Sequence, residues 1–181
     1  MGQHQFVKFA LAAALAAGAT AAFAAGSAPS TGSGGGTAAS CSKYTNGSAD
    51  WTKCMKGGRA AMNNEELYAT GYQLAKAGDY ADALEFLKAG TDRGDVRFLT
   101  MIGYSTRKLG NIDEGMGYYM QALAIDPNSV TTREYLGEAF LQKKDLASAK
   151  GQLSEIASRC GTTCETYTEL SDQIGKFQAG L

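Results

Sequence analysis

Four cysteines carry most of the reactive chemistry in this 181-residue chain: Cys41, Cys54, Cys160 and Cys164. An even number of thiols permits complete pairing in an oxidising compartment, in three ways, of which the simplest is local: Cys41 with Cys54 and Cys160 with Cys164. Cys160 and Cys164 flank Gly161-Thr162-Thr163, one residue more than a C-x-x-C redox pair holds, and no βαβ pattern surrounds them. That spacing suits a structural staple. The competing reading is a cysteine-based redox accessory, because a helix opening at Thr162 puts Cys164 in its first turn, where backbone N–H groups lower a thiol's pKa. Met55 beside Cys54 extends this alternative to copper handling, since soft sulfur ligands suit cuprous ion. Met101, Met116 and Met120 instead fall at helical spacings that mark a core.

Acid–base catalysis has little to work with. Lys8 and His4 precede an alanine-rich apolar run, Ala10 to Phe23, and Ala22-Phe23-Ala24 supplies the small-x-small pattern that signal peptidase requires. Residues 1–24 are therefore expected to be a signal peptide cleaved after Ala24; the apolar run falls short of the roughly 20 strongly apolar residues that span a bilayer. Cleavage removes His4, the only histidine, and with it any Ser-His-Asp or Cys-His arrangement and any histidine-based zinc site. Asp79, Asp82, Glu85, Asp113 and Glu114 lie beside predicted turns and read as caps and solvated faces. The chain is expected not to be an enzyme and to need no cofactor or metal. Beyond residue 24 it holds 16 basic against 18 acidic side chains, which gives no electrostatic reason to bind nucleic acid. No later stretch is apolar enough to insert in a membrane, so a soluble periplasmic protein is expected.

Along the chain, residues 25–40 are almost entirely Gly, Ser, Thr and Ala, a composition that cannot offset ordering entropy and predicts a flexible linker. Residues 41–63 hold the only tryptophan, Trp51, between two cysteines, and Gly57-Gly58 is expected to break the stretch after Cys54. This reads as a disulfide-closed segment that lays Trp51 on the main domain. From Asn63 on, three stretches each show an apolar 3.6-residue period, a short break and a second such run. Gly71, Gly103 and Gly137 lie 32 and 34 residues apart, and Gly78 and Gly110 are 32 apart. Asn63 with Glu66, Asn111 with Glu114, Thr131 with Glu134 and Thr162 with Glu165 match capping-box spacing and predict helix starts. Tyr167, Leu170, Ile174 and Phe177 form one apolar stripe on a last helix.

A period near 34 with two helices per unit resembles the tetratricopeptide repeat family. The first-helix positions are held by Leu67, Thr70-Gly71 and Leu74 in unit one, Leu99, Ile102-Gly103 and Thr106 in unit two, and Arg133, Leu136-Gly137 and Phe140 in unit three. Ala83 and Leu87, Gly115 and Tyr119, and Ala149 and Leu153 hold the matching places in the second helices, and Pro127 sits at a helix exit. Thr106 and Arg133 depart from the apolar pattern, and Lys144 stands where the other units have Gly78 and Gly110. The resemblance covers residues 64–159 and implies an all-α, short solenoid of about three helix-turn-helix units, closed by a capping helix over 160–181.

The same resemblance implies a partner-binding face made by the first helices. Transferred position by position, it holds Glu65, Tyr68, Tyr72 and Lys76, then Arg97, Thr100, Tyr104, Arg107 and Lys108, then Glu134, Glu138 and Gln142. Tyrosine offers large contact area at low entropic cost, and flanking charge orients a ligand. The paired Lys and Asn with which some members clamp a peptide's terminal carboxylate are absent, since Tyr68, Tyr72, Glu134 and Glu138 occupy those places. The expected function is a periplasmic adaptor or scaffold that binds a protein or peptide segment.

Overall fold

Polar residues set the helix starts and apolar faces set how the helices pack. In the computed structural model, which describes residues 41, 43–45, 47–92 and 94–181, α1 spans Ala49–Gly58, α2 Asn64–Ala77, α3 Tyr80–Leu87, α4 Val96–Lys108, α5 Ile112–Ile125, α6 Val130–Gln142, α7 Leu146–Cys160 and α8 Glu165–Gln178. The expected signal peptide (1–24) and linker (25–40) lie outside the described residues. The described chain is all-α, with α2 and α3, α4 and α5, and α6 and α7 forming antiparallel pairs and α8 packed on α6 and α7. No helix among the described residues is long and apolar enough to cross a membrane.

Within a pair, glycine sets the approach. A Cβ on Gly71 would lie 2.5 Å from Leu87 Cγ, and one on Gly103 would lie 2.7 Å from the Tyr119 ring and 2.9 Å from the Gly115 carbonyl. Unit three departs: Gly137 accepts Leu170 of α8, at 2.5 Å from the corresponding Cβ position, and not Leu153 of its own second helix. The turn inside each unit needs a left-handed residue, which Gly78 (φ 95°) and Gly110 (φ 96°) supply without strain. Lys144 takes the same conformation at φ 62°, so the third turn is built alike at a steric cost.

One of the four expected capping boxes forms. Asn63 accepts from the Glu66 backbone N–H at 3.0 Å while Glu66 accepts from the Asn63 N–H at 3.0 Å. Asn111 caps α5 by position without a side-chain bond. At α6 the cap is Ser129, two residues before Thr131, and at α8 it is Cys164, so Thr162 lies outside the helix. Polar linkers offer several cap candidates, and the two-residue signature does not choose among them.

The first apolar cluster joins α1 to α6: Trp51, Met55, Leu74, Phe86, Leu87, Met101, Tyr119 and Leu136 all belong to it. The second, Leu141, Ala149, Ile156, Leu170 and Ile174, binds α8 to α6 and α7. Cys41 is bonded to Cys54 and Cys160 to Cys164. The first bond is buried at Cys41 and fixes α1, which seats Trp51, only 5% exposed, in the core. Gly57 and Gly58 do not break α1 but complete it, and a 3₁₀ turn at Arg59–Ala61 comes next. Lys56 pairs with Asp82 (2.6 Å) and Glu85 (3.2 Å), and Arg59 with Glu85 (2.9 Å), so these α3 carboxylates hold α1 in place.

Candidate functional site

The first helices of the three pairs, α2, α4 and α6, line a groove of about 350 Å³ with Tyr68, Tyr72, Arg97, Met101, Ser129 and Tyr135 on its walls. Tyr68 and Tyr72 come from one face of α2, one turn apart, with ring centroids separated by 6.0 Å. Tyr68 also meets Phe98 edge-on at 5.6 Å, which fixes its ring from behind, while Tyr72 stays 38% exposed. Burial raises the Tyr68 hydroxyl's pKa, against the opposing charge of Arg97, so the phenol stays neutral at ordinary pH.

Arg97 stands 4.6 Å over the Tyr68 ring and is fixed by two carboxylates, Asp95 at 2.8 Å and Glu65 at 2.9 Å. Asp95 also caps α4 by accepting from the Arg97 backbone N–H at 3.0 Å. Its hydrogen bonds from Arg97 hold the Asp95 carboxyl below the usual carboxylate range, more than offsetting partial burial. An arginine already stacked and paired loses little rotamer freedom when a ligand arrives, so this end of the groove is preorganised. Behind it, Thr100 is buried and its hydroxyl lies 2.7 Å from that of Thr132, closing the groove floor between α4 and α6.

Tyr104 links this groove to a second one. Its ring lies 4.9 Å from Tyr135 and 6.0 Å from Tyr80, with Lys108 Nζ 5.4 Å above it. The second groove, about 310 Å³, runs between α4, α6 and α8 and is lined by Arg107, Lys108, Glu138, Gln142, Lys176 and Phe177, among others. Here Arg107 and Glu138 are engaged with each other. Arg107 is 2% exposed; it donates to the Tyr119 hydroxyl at 3.3 Å and to Glu138 at 2.5 Å. Burial works against its charge, but Tyr119 and Glu138 more than compensate and raise its pKa. Burial in turn pushes the Tyr119 hydroxyl up to about 12, with Arg107 acting the other way.

Glu134 is the strongest departure from a solvated groove position. It is 4% exposed, and its carboxyl is pushed up to about 8, first by burial and then by a hydrogen bond and charge repulsion from Glu169 on α8, with Glu138 adding to the rise and Lys76 opposing it. Among the expected face residues, the structure thus gathers Tyr68, Tyr72, Arg97 and Thr100 around the first groove and Arg107, Lys108, Glu138 and Gln142 around the second. Arg107 and Glu134 are there as interior groups and do not offer a free charge to a ligand. Tyr135, Phe177 and Lys176 join the site without having been expected: Tyr135 falls one position from Glu134 in the repeat register, and the α8 residues become visible only once the capping helix is docked.

The cysteine alternatives fare differently. Cys54 is bonded to Cys41 and the neighbouring Met55 is 1% exposed in the core, so this sulfur pair faces inward. Cys160 and Cys164 bridge the exposed corner between α7 and α8.

The fold these helices define is tetratricopeptide-like. No protein-family model and no curated protein sequence matches the chain. Among solved structures, the type III secretion translocator chaperone SycD of Yersinia enterocolitica superimposes with a TM-score of 0.54 at 23% identity, over 64% of this chain and 83% of that one. PcrH of Pseudomonas aeruginosa gives 0.52 at 22% identity, over 64% of this chain and 89% of that one. SycD has been crystallised with a peptide of the translocator YopD, and PcrH with the chaperone-binding region of PopD. At this identity the likeness establishes the fold.

Proposed function

We propose that this protein is an exported, non-catalytic adaptor that holds an extended segment of a partner protein along the face built by α2, α4 and α6. The observation that carries this reading is the tyrosine-walled groove with Arg97 fixed across its mouth. Aromatic rings held by their neighbours, beside a paired arginine, are the side chains that dominate interface energetics. The fold neighbours seen with peptide segments support the reading, as does a sequence that offers no catalytic set. The periplasmic location belongs to the proposal through the Ala22-Phe23-Ala24 pattern.

Two measurements test it. Mass spectrometry of the protein recovered from the periplasm should give a chain that begins at Ala25; retention of residues 1–24 would overturn the location. Envelope proteins that co-purify with the wild type should be lost with Tyr68→Ala/Tyr72→Ala at unchanged helicity. Undiminished recovery of the same proteins would move binding away from this groove.

A further inference from the structure

The two disulfides sit in opposite surroundings. Thiol–disulfide exchange needs an open line to one sulfur and a leaving sulfur that can carry negative charge. Cys41 is fully buried, and its partner Cys54 packs against the first core. In that bond Cys41 is either the sulfur attacked, which the core blocks, or the leaving thiolate, which apolar surroundings disfavour. The second bond meets both requirements. Cys160, the last residue of α7, is exposed, while Cys164 is half-buried against the second core. Cys164 is also the N-cap of α8, where backbone N–H groups stabilise negative charge. The Thr166 hydroxyl oxygen lies 3.6 Å from the Cys164 sulfur and 3.9 Å from that of Cys160. Four positions separate the two cysteines, so the pair lacks the C-x-x-C spacing of a disulfide reagent and suits the target of one.

We propose that Cys160–Cys164 is a thiol–disulfide exchange site, reduced by a dithiol through attack on Cys160 while Cys41–Cys54 stays intact. A thiolate of the dithiol bonds to Cys160 Sγ, and the Cys160–Cys164 bond breaks. Its electron pair leaves on Cys164 as a thiolate, to which the Thr166 hydroxyl donates. The second thiolate of the dithiol then attacks the reagent's own sulfur in the mixed disulfide and releases Cys160. Two electrons and two protons pass to the chain, which gains two thiols, and the dithiol becomes a disulfide. Reduction frees the corner between α7 and α8. Leu170 and Ile174 remain in the second core, so α8 stays docked but loosens at its start. The exchange thereby acts on the helix that supplies Lys176 and Phe177 to the second groove.

The exchange site does not depend on the tyrosine-walled groove, so its failure and the failure of the adaptor reading are separate outcomes. The test is a timed reduction of the full, folded chain with dithiothreitol, the freed thiols being alkylated and mapped by mass spectrometry. Cys160 and Cys164 should be labelled about tenfold or more faster than Cys41 and Cys54. Hydrogen exchange across Glu165–Gln178 should then quicken by about fivefold to thirtyfold, while Asn64–Ala77 keeps its protection. Glutathione, a monothiol with no second sulfur to complete the reduction, should be trapped on Cys160 and leave Cys164 free for alkylation. Thr166→Val should slow the reduction severalfold, and Thr166→Ser should restore it. Equal rates at the two bonds, glutathione found on Cys164, or a Thr166→Val chain reduced at the wild-type rate would overturn the proposal.

Discussion

Along one face of the repeat array, the same register positions have two fates. Over α2 and the start of α4 they remain available: Tyr72 is exposed, and Arg97 is held at the surface by Asp95 and Glu65. Over the end of α4 and α6 they are closed in: Arg107 is sealed against Tyr119 and Glu138, and Glu134 is almost wholly buried. For Arg107 the difference is made by Tyr119 of α5 and Glu138 of α6, and for Glu134 by its burial on α6, the helix on which the capping helix docks. α8 packs on α6 where a further repeat would continue the array. Repeat register therefore assigns a face, while the neighbouring element decides whether that face binds a ligand or another helix.

The largest way to break the contrast is Glu138→Ala. It leaves the Arg107 guanidinium buried without its carboxylate, which should cost roughly 3 kcal/mol in denaturant unfolding. The matching change in the open half, Glu65→Ala, removes one exposed partner of Arg97 and should cost under about 1 kcal/mol. Equal effects would mean that the two halves are equally solvated.

Glycine substitutions come next. Gly103→Ala forces a Cβ against the Tyr119 ring and the Gly115 carbonyl, and a backbone carbonyl cannot step aside, so a loss of roughly 2 kcal/mol is expected. Gly137→Ala presses on Leu170 of α8 instead, and its damage should appear as faster exchange in α8 with little change in α2. Gly151→Ala meets nothing within 4 Å and should stabilise α7 by about 0.5–1 kcal/mol.

Cys164→Ser removes the staple at the α7–α8 corner. A loop this short contributes roughly 1–2 kcal/mol, and the loss should be confined to α8. Unchanged thermal stability and unchanged exchange in α8 would show that the second core alone holds the helix. A second small gain is expected at the third turn. Lys144→Gly relieves a left-handed lysine and should raise stability by up to about 1 kcal/mol, whereas Gly78→Lys at the equivalent turn should lower it.

Much of this architecture was legible in the residues. The spacing of Gly71 and Gly103 reported close helix approach because only a missing side chain fits against Leu87 and Tyr119. Lys144 was visible as an exception to the Gly78 and Gly110 pattern, and its positive φ shows that turn geometry outweighed residue preference. Asn63 and Glu66 announced their box, but Thr131 and Thr162 did not start helices, since Ser129 and Cys164 take those places. The burial of Arg107 and Glu134 was not legible. It depends on which neighbours close over each side chain, Tyr119 and Glu138 in the case of Arg107, a tertiary fact that a charged residue at a groove position cannot report. The role of α1 was half visible: two cysteines around Trp51 indicated closure, while the salt bridges to Asp82 and Glu85 required the third dimension.

The central claim, that the open half of the face holds a protein segment, is tested most directly by one affinity measurement. Peptides selected from a random displayed library on the wild-type protein would be titrated against the wild type and against Tyr68→Ala/Tyr72→Ala, with retained helicity confirmed. With each aromatic anchor worth about 2 kcal/mol, the selected peptides should bind the double variant roughly several hundredfold weaker. Equal affinity for the two proteins would contradict the account and place ligand binding outside the tyrosine-walled groove.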